Sequence, residues 1–277
     1  MKKAFLLLSL FTATLAIGQS LGVMSYNIRY DNPQDGENRW DNRKEHLISQ
    51  LNFYAPDVFG TQEGLLHQLG DLKNGLNAYG YVGVGRDDGK EKGEFTAIFY
   101  HQETVELLKD NTFWLSLTPD KPSKAWDAAL PRICTYSLFK MKESGRQFYV
   151  FNTHFDHIGE QARLESSLLI LSKIKQLNTG GLPVILMGDF NMDPNSTGYS
   201  SITKEMKDCH IEVGAKAYGP GGTFNGFDIT KPTDRRIDYI FVSDGFKPLK
   251  SAIFSTVFNG LYPSDHFPVY TELDFEK

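Results

Sequence analysis

Apolar positions along the chain fall into two alternating kinds of segment. Short runs rich in Val, Ile, Phe and Tyr, bounded by polar, Gly or Pro positions, occupy 21–28 (LGVMSYNI), 57–62 (DVFGTQ), 95–100 (FTAIFY) and 132–141 (RICTYSLFKM). Four more occupy 147–155 (QFYVFNTHF), 182–190 (LPVILMGDF), 236–243 (RIDYIFVS) and 266–273 (HFPVYTEL). Their length and their β-branched and aromatic content predict strands. Between them, apolar residues recur at helical spacing: Leu47, Ile48 and Leu51 within 42–54, and Leu65, Leu66, Leu69, Leu72 and Leu76 within 65–76. A third stripe, Leu164, Leu168, Leu171, Ile174 and Leu177, fills 160–177 and is closed by Asn178 and Gly180-Gly181. These predict three amphipathic helices. Strands and helices mix without long linkers or repeats, so one α/β domain is expected over 19–277.

The strands share a second property: most finish in polar chemistry. The first ends in Tyr26-Asn27, the second in Gln62-Glu63, the fifth in Asn152-Thr153-His154 and the sixth in Asp189-Phe190-Asn191. Asp238 interrupts the apolar run Ile237-Tyr239-Ile240, and Asp265-His266 stands at the start of the last strand. One such ending is a turn, because Gly, Asp, Asn and Pro are turn residues. Six are difficult to explain that way. Half-burying a carboxylate costs several kcal/mol unless it is paired or metal-bound, and a convergent site at the carboxyl ends of strands would offset that cost for all of them.

Composition changes the picture only at the edges. The chain has 277 residues, 40% of them hydrophobic and 23% charged, as an ordinary globular protein does. Met1-Lys2-Lys3 followed by an apolar run to Ile17 and by Gly18 fits an export leader over 1–18, cut before Gln19. The run is short for a membrane span, so a soluble protein without a stable membrane anchor, periplasmic or secreted, is expected. Losing Lys2 and Lys3 would take the net charge from −5 to −7. No Lys/Arg stripe is present, which counts against a grip on long nucleic acid. A bound cation could supply the missing positive charge, so a nuclease stays open. Of the two cysteines, Cys134 and Cys209, the first lies in an expected strand and reads as a buried free thiol.

The polar strand ends supply three kinds of group. Glu63 and Asn27 are hard oxygen donors of the kind Mg²⁺, Mn²⁺ or Ca²⁺ takes. Asp189 and Asn191, two apart on one extended stretch, would point the same way, the acid deprotonating a water and the amide orienting it. His154 and His266 would serve as imidazolium donors, with Asp238 the natural partner of His266. A hard metal, a base and two cationic imidazoles suit the charge that develops on a phosphoryl group under attack. The G-x-S-x-G, GxxxxGK[ST] and H-E-x-x-H patterns of competing chemistries are missing from the sequence.

The motifs SYNIR, TQE, NTHFDH, GDFN, RIDYIF and SDHFPV, in this order over residues 25–269, resemble the endonuclease/exonuclease/phosphatase (DNase I-like) superfamily. The resemblance implies a four-layer α-β-β-α sandwich, two packed mixed β-sheets flanked by helices. It also implies that Asn27 and Glu63 bind the metal, with Asp265 as a second contact. Asp189 then activates water, Asn191 orients it, His266 held by Asp238 stabilises the transition state, and His154 is the other site histidine. The cofactor implied is Mg²⁺ or Mn²⁺, with Ca²⁺ as a third candidate.

Four further residues are candidates for substrate contact: Arg132 as a phosphate-side arginine, Asn225 in the glycine-rich loop 219–227, Trp40 as a stacking surface and Arg163 on the 160–177 helix. The competing readings are a surface ion pair for Arg132, core packing for Trp40 and a helix cap at Asp156. The function expected is hydrolysis of a phosphodiester or phosphomonoester, small or glycan-linked, by a monomer. An extracellular nuclease acting on DNA or RNA is the alternative. A catalytically silent glycan- or phosphate-binding module is a third reading, which the intact motif disfavours.

Overall fold

Two strand–helix–strand crossovers frame the molecule, because two adjacent parallel strands need a long connection between them. A computed structural model describes residues 20–276; the expected leader, 1–18, lies outside the described residues. In the first crossover β1 (Leu21–Asn27) leads through α1 (Trp40–Tyr54) to β2 (Val58–Gln62), which runs parallel to it. In the second, β7 (Gln147–His154) leads through α3 (Glu160–Leu177) to a parallel β8 (Val184–Asp189). Between the crossovers come α2 (Leu66–Gly75), β3 (Tyr79–Val82), β4 (Ile98–His101), β5 (Val105–Trp114) and β6 (Ile133–Met141). After them come α4 (Thr197–Thr203), β9 (Lys207–Asp208), α5 (Cys209–Glu212), β10 (Ala217–Tyr218), β11 (Asp238–Val242), β12 (Phe246–Ile253) and β13 (Val269–Phe275).

The strands form two mixed sheets, ordered β10-β12-β13-β1-β2-β4-β3 and β5-β6-β7-β8-β11-β9. They pack face to face through a core that draws Val23, Val58 and Leu273 from the first sheet and Val150, Met187 and Ile240 from the second. Phe148 sits in this core against Phe139, Phe246 and Phe275, and truncating such a side chain to Ala costs about 3–5 kcal/mol. α1 and α2 cover the outer face of the first sheet with Leu47, Leu51, Leu69 and Leu72. α3 and α4 cover the second with Ile170, Leu171 and Ile202. The expected four-layer α-β-β-α sandwich is the fold. Both cysteines are buried free thiols. No helix among the described residues is long and apolar enough to cross a membrane.

All three expected helices form, and each of the eight expected strands is found with shifted bounds, β4 and β13 running past their expected ends. β3, β5, β9, β10 and β12 went unseen in the pattern. The middle of β5 is largely exposed at a sheet edge, so it carries Glu, Lys, Asp and Asn instead of an alternation. β12 contains a Pro and two Lys and is bulged between Pro248 and Lys250. The last strand starts at Val269 rather than His266, because Pro268 interrupts the pairing and His266 instead bridges Phe224.

Both crossovers point their carboxyl ends the same way, and the sheets are tied together there. The Asn152 amide donates to Thr61 O and Ala97 O, both at 2.9 Å, and its Oδ1 accepts from Gln62 Nε2 at 2.7 Å. Gly60 makes room for it, since a Cβ there would meet the Asn152 side chain at 2.6 Å.

Candidate active site

A cavity of about 910 Å³ opens at these strand ends. Its floor is Asp189, the last residue of β8, which is 1% exposed. Gly188 before it adopts φ 150°, and a Cβ there would meet Thr153 O at 2.1 Å, so only glycine lets β8 lie this close to β7. The Asp189 carboxylate accepts from Asn27 Nδ2 at 2.9 Å and from the Asn191 backbone N–H at 2.9 Å. His154 Nε2 and His266 Nε2 stand 3.5 and 3.8 Å from it. Burial, followed by the Asp238 charge, raises its pKa to about 7.

One wall comes from the first sheet. Asn27 ends β1, and its amide also donates to Glu63 at 3.0 Å, just past β2. Glu63 Oε2 accepts from Tyr30 N at 3.2 Å. Asp265 faces the same space, its pKa raised to about 6 chiefly by burial. The Arg29 guanidinium lies 3.8 Å from both Glu63 and Asp265, and Asp35 holds it in a two-pronged pair at 2.9 and 3.0 Å. Behind them Arg43, 2% exposed, donates to Ile28 O, to Arg29 O at 2.6 Å and to Pro263 O at 3.0 Å. It thereby ties the loop after β1 to the loop that carries Asp265.

The opposite wall is cationic. Arg132, just before β6, is 5% exposed. Its Nη1 lies 3.1 Å from His154 Nδ1, its Nη2 3.0 Å from His157 Nδ1, and its Nε 3.4 Å from Asp156. The loop between β3 and β4 reaches across from the first sheet to add Arg86 and Glu94, paired at 2.6 Å. Glu94 stands 3.7 Å from His154, and burial raises its pKa to about 7. At the mouth lie Phe224, Phe227 and Arg235 of the 219–237 segment. Asn225 N and Gly226 N donate to Asp265 O and hold this segment down.

The two histidines differ. His266 Nδ1 lies 2.9 Å from Asp238. Burial works against its charge, but Asp238 and Asp189 outweigh it and lift its pKa to about 10. For His154, burial and the neighbouring Arg132 and Arg86 charges all push the pKa well below the ordinary value. The expectation of two imidazolium ions is therefore corrected: His266 is charged and His154 neutral, and the positive charge on that wall belongs to the arginines.

Asp189, Asn191, His154, His266, Glu63, Asp265 and Arg132 all line the one cavity, with Asn27 and Asp238 bonded directly behind them. Asn191 is not on an extended stretch. β8 stops at Asp189, and Asn191 turns back with φ 48°, its amide donating to Phe155 O at 3.1 Å and approaching His154 Nε2 at 3.2 Å. Glu63 and Arg29 also have positive φ, 64° and 55°, and such backbone strain gathers at functional sites.

Trp40 is not a substrate platform. It is 1% exposed in the core under α1, its Nε1 donating to Asp71 at 2.8 Å. Asn225 does not line the cavity, because its side chain is committed to Ser264 O at 3.1 Å and Phe227 N at 2.8 Å. Arg163 donates to Asp156 O at 3.0 Å and lines an adjoining cavity of about 410 Å³ that shares Asn191 and Arg235 with the first. Asp156 accepts from Ile158 N and Gly159 N, the capping role weighed for it. Arg86 and Glu94 were missed. They end the run GRDDGKEKGE, which reads as a solvated loop, and only its spaced glycines hint at a shaped turn.

The carboxylates leave room for a cation. One oxygen or nitrogen each from Glu63, Asp189 and His266 lies within 4.8 Å of the others. His266, charged and tied to Asp238, is a poor ligand, so the fitting donors are the oxygens of Glu63, Asp189, Asp265 and Asn27. That all-oxygen set suits a hard divalent ion. Which end of the Asn27 amide faces the ion depends on how the amide is turned.

The family model described as Endonuclease/Exonuclease/phosphatase family matches residues 24–266. An endonuclease/exonuclease/phosphatase family protein from Bacteroides thetaiotaomicron superposes with a TM-score of 0.91 at 43% identity, covering 94% of this chain and 99% of that one. A mannosyl-6-phosphatase from Bacteroides thetaiotaomicron VPI-5482 superposes with a TM-score of 0.88 at 44% identity, covering 92% of this chain and all of that one. A probable RNA exonuclease of Saccharomyces cerevisiae is 30% identical over 216 residues, covering 69% of this chain and 42% of its own length. The chain spans between 42% and 60% of the length of three curated relatives that it matches.

Proposed function

Since the chain belongs to the endonuclease/exonuclease/phosphatase family, whose members act on phosphoesters, we propose that it is a divalent-metal-dependent phosphoesterase in which Asp189 activates the attacking water. The observation that carries this reading is the position of Asp189: it lies where a carboxylate wall and an arginine wall meet, beside both site histidines. Mg²⁺ or Mn²⁺ held by Glu63, Asn27 and Asp265 would polarise a phosphoryl oxygen and offset charge on the departing one.

The chain's own groups do the rest. Asp189 takes a proton from water, and the Asn191 amide, 3.2 Å from His154, fixes that water's orientation. His266, charged and braced by Asp238, donates to an equatorial phosphoryl oxygen as negative charge builds. Arg132 places a second fixed positive group on the same phosphoryl, and neutral His154 keeps Arg132 and Asn191 in register.

The substrate favoured is a phosphomonoester with a small or sugar leaving group, which the mannosyl-6-phosphatase neighbour supports. A diester or nucleic-acid substrate is the second reading. The adjoining cavity beyond Asn191 favours it, because it offers room for the second, non-departing arm of a diester. Export belongs to the same reading, and a mature chain starting at Gln19 by mass spectrometry tests it. Parallel hydrolysis of p-nitrophenyl phosphate and bis(p-nitrophenyl) phosphate with Mg²⁺, Mn²⁺ or EDTA tests the chemistry. Metal-dependent monoester cleavage is expected, and dominant diester cleavage would move the substrate to the second reading. Turnover of neither, with metal bound, would leave a binding module.

A further inference from the structure

We propose that Arg29, Asp35 and Tyr30 form the subsite for the departing group, and that this group is a sugar. The inference rests on the water placement above, because in-line attack puts the departing oxygen on the far side of phosphorus from Asp189 and Asn191. A chain of contacts leads away from Asp189 along the carboxylate wall, where the departing group is placed by this reading. Asp189 meets Asn27 at 2.9 Å, Asn27 meets Glu63 at 3.0 Å, and Glu63 meets Tyr30 N at 3.2 Å and Arg29 Nη1 at 3.8 Å. Arg29 then meets Asp35. All of these except Asn27 line the one cavity.

The subsite is rigid and its polar groups face inward. Asp35 accepts Arg29 Nε and Nη2 side by side, and Asn32 Nδ2 adds a third bond to it at 3.0 Å. Asp35 sits in a short 3-10 segment, 33–38, that kinks at Gly36 and that Asn32 caps at its start. Thus fixed, Arg29 lines the cavity and keeps Nη1 without a hydrogen bond among the described residues, 3.8 Å from Glu63. Arg29 lies over one face of the Tyr30 ring at 4.6 Å, which steadies the guanidinium, and Tyr30 itself lines the cavity.

A planar donor edge beside a carboxylate, with a tyrosine lining the same stretch of wall, suits the neighbouring hydroxyls of a sugar ring. The local charge argues against a continuing phosphodiester chain. Arg29 is balanced by Asp35, so it offers no free positive charge to a further phosphate. A neutral, hydroxyl-rich departing group needs no such charge.

The test compares mannose 6-phosphate with phenyl phosphate, which lacks the hydroxyls, in the full enzyme with Mg²⁺. The wild type is expected to favour the sugar phosphate. In Asp35→Asn and in Tyr30→Ala, kcat/KM for mannose 6-phosphate should fall roughly ten- to a hundredfold, mainly through KM, the range for losing charge-assisted hydrogen bonds. Phenyl phosphate should fall far less, so the preference collapses. Thermal melting identifies a variant that fails to fold, and the other variant then decides. An unchanged preference in a folded variant, or a wild type indifferent to the hydroxyls, overturns the subsite while leaving the phosphoesterase reading intact. A wild type that turns over neither compound overturns both.

Discussion

The two walls of the cavity are built from unlike materials. The wall from the first sheet offers carboxylates and an amide, Glu63, Asp265 and Asn27, on strand ends and tight turns, with one arginine already neutralised by Asp35. The wall from the second sheet offers guanidinium groups, Arg132 and Arg86, with Glu94 between them and a histidine held neutral. One wall is short of positive charge and the other has it fixed in place. A phosphoester between them would be oriented by that asymmetry, its phosphoryl oxygens toward the arginines and the metal-binding oxygens behind its departing side.

The sharpest way to break this picture is at the seam. Asp189→Asn keeps the shape but removes the base both walls converge on, so kcat should fall about 10²- to 10⁴-fold. Stopped assays on p-nitrophenyl phosphate check this, with melting temperature as a folding control. On the cationic wall alone, Arg132→Lys loses a fork that reaches both His154 and His157. KM should rise roughly tenfold, while the Mn²⁺ concentration for half-maximal rate stays put.

Glu94 sharpens the comparison by pH. Its pKa of about 7 lies above its ordinary 4.5, so the stability it contributes is present below about 4.5 and is lost as pH rises through about 7. Below pH 7 the neutral carboxyl leaves Arg86 without its closest counter-charge and Arg132 with Asp156 alone. Sulfate, whose charge does not change in this range, should bind several-fold tighter at pH 6 than at pH 8, by calorimetry in EDTA. Glu94→Gln should bind tightly at both and should lose less melting temperature between pH 5 and pH 8. The smallest effect is expected at Trp40. Trp40→Phe removes a buried bond to Asp71 and should cost about 1–3 kcal/mol in denaturant unfolding, with kcat/KM changed less than about twofold.

The same asymmetry decided what the sequence could reveal. Asn27 and Asp189 close buried strands, Glu63 stands just past a third and Asp265 just before the last, so polar residues flanking apolar strands stood out in each case. The Asp238–His266 pair was legible because a lone acid broke an apolar strand. Arg86 and Glu94 were not, since their loop leaves the first sheet and acts on the second, and nothing local distinguishes such a loop from a solvated one. Trp40 and Asn225 misled for a related reason. Both residue types serve cores and turns as readily as ligands, and only tertiary contacts decide between them. His154 lines the cavity, but the lowering of its pKa by burial and by arginines 22 and 68 positions away had no local signal.

The most direct test of the divided site is calorimetric titration with Mn²⁺ and, separately, with sulfate, on wild type, Glu63→Gln and Arg132→Lys. Glu63→Gln should lose about tenfold or more in Mn²⁺ affinity and keep its sulfate affinity, and Arg132→Lys should do the reverse. If both variants weakened both ligands alike, the walls would not have separate tasks and the account would be wrong.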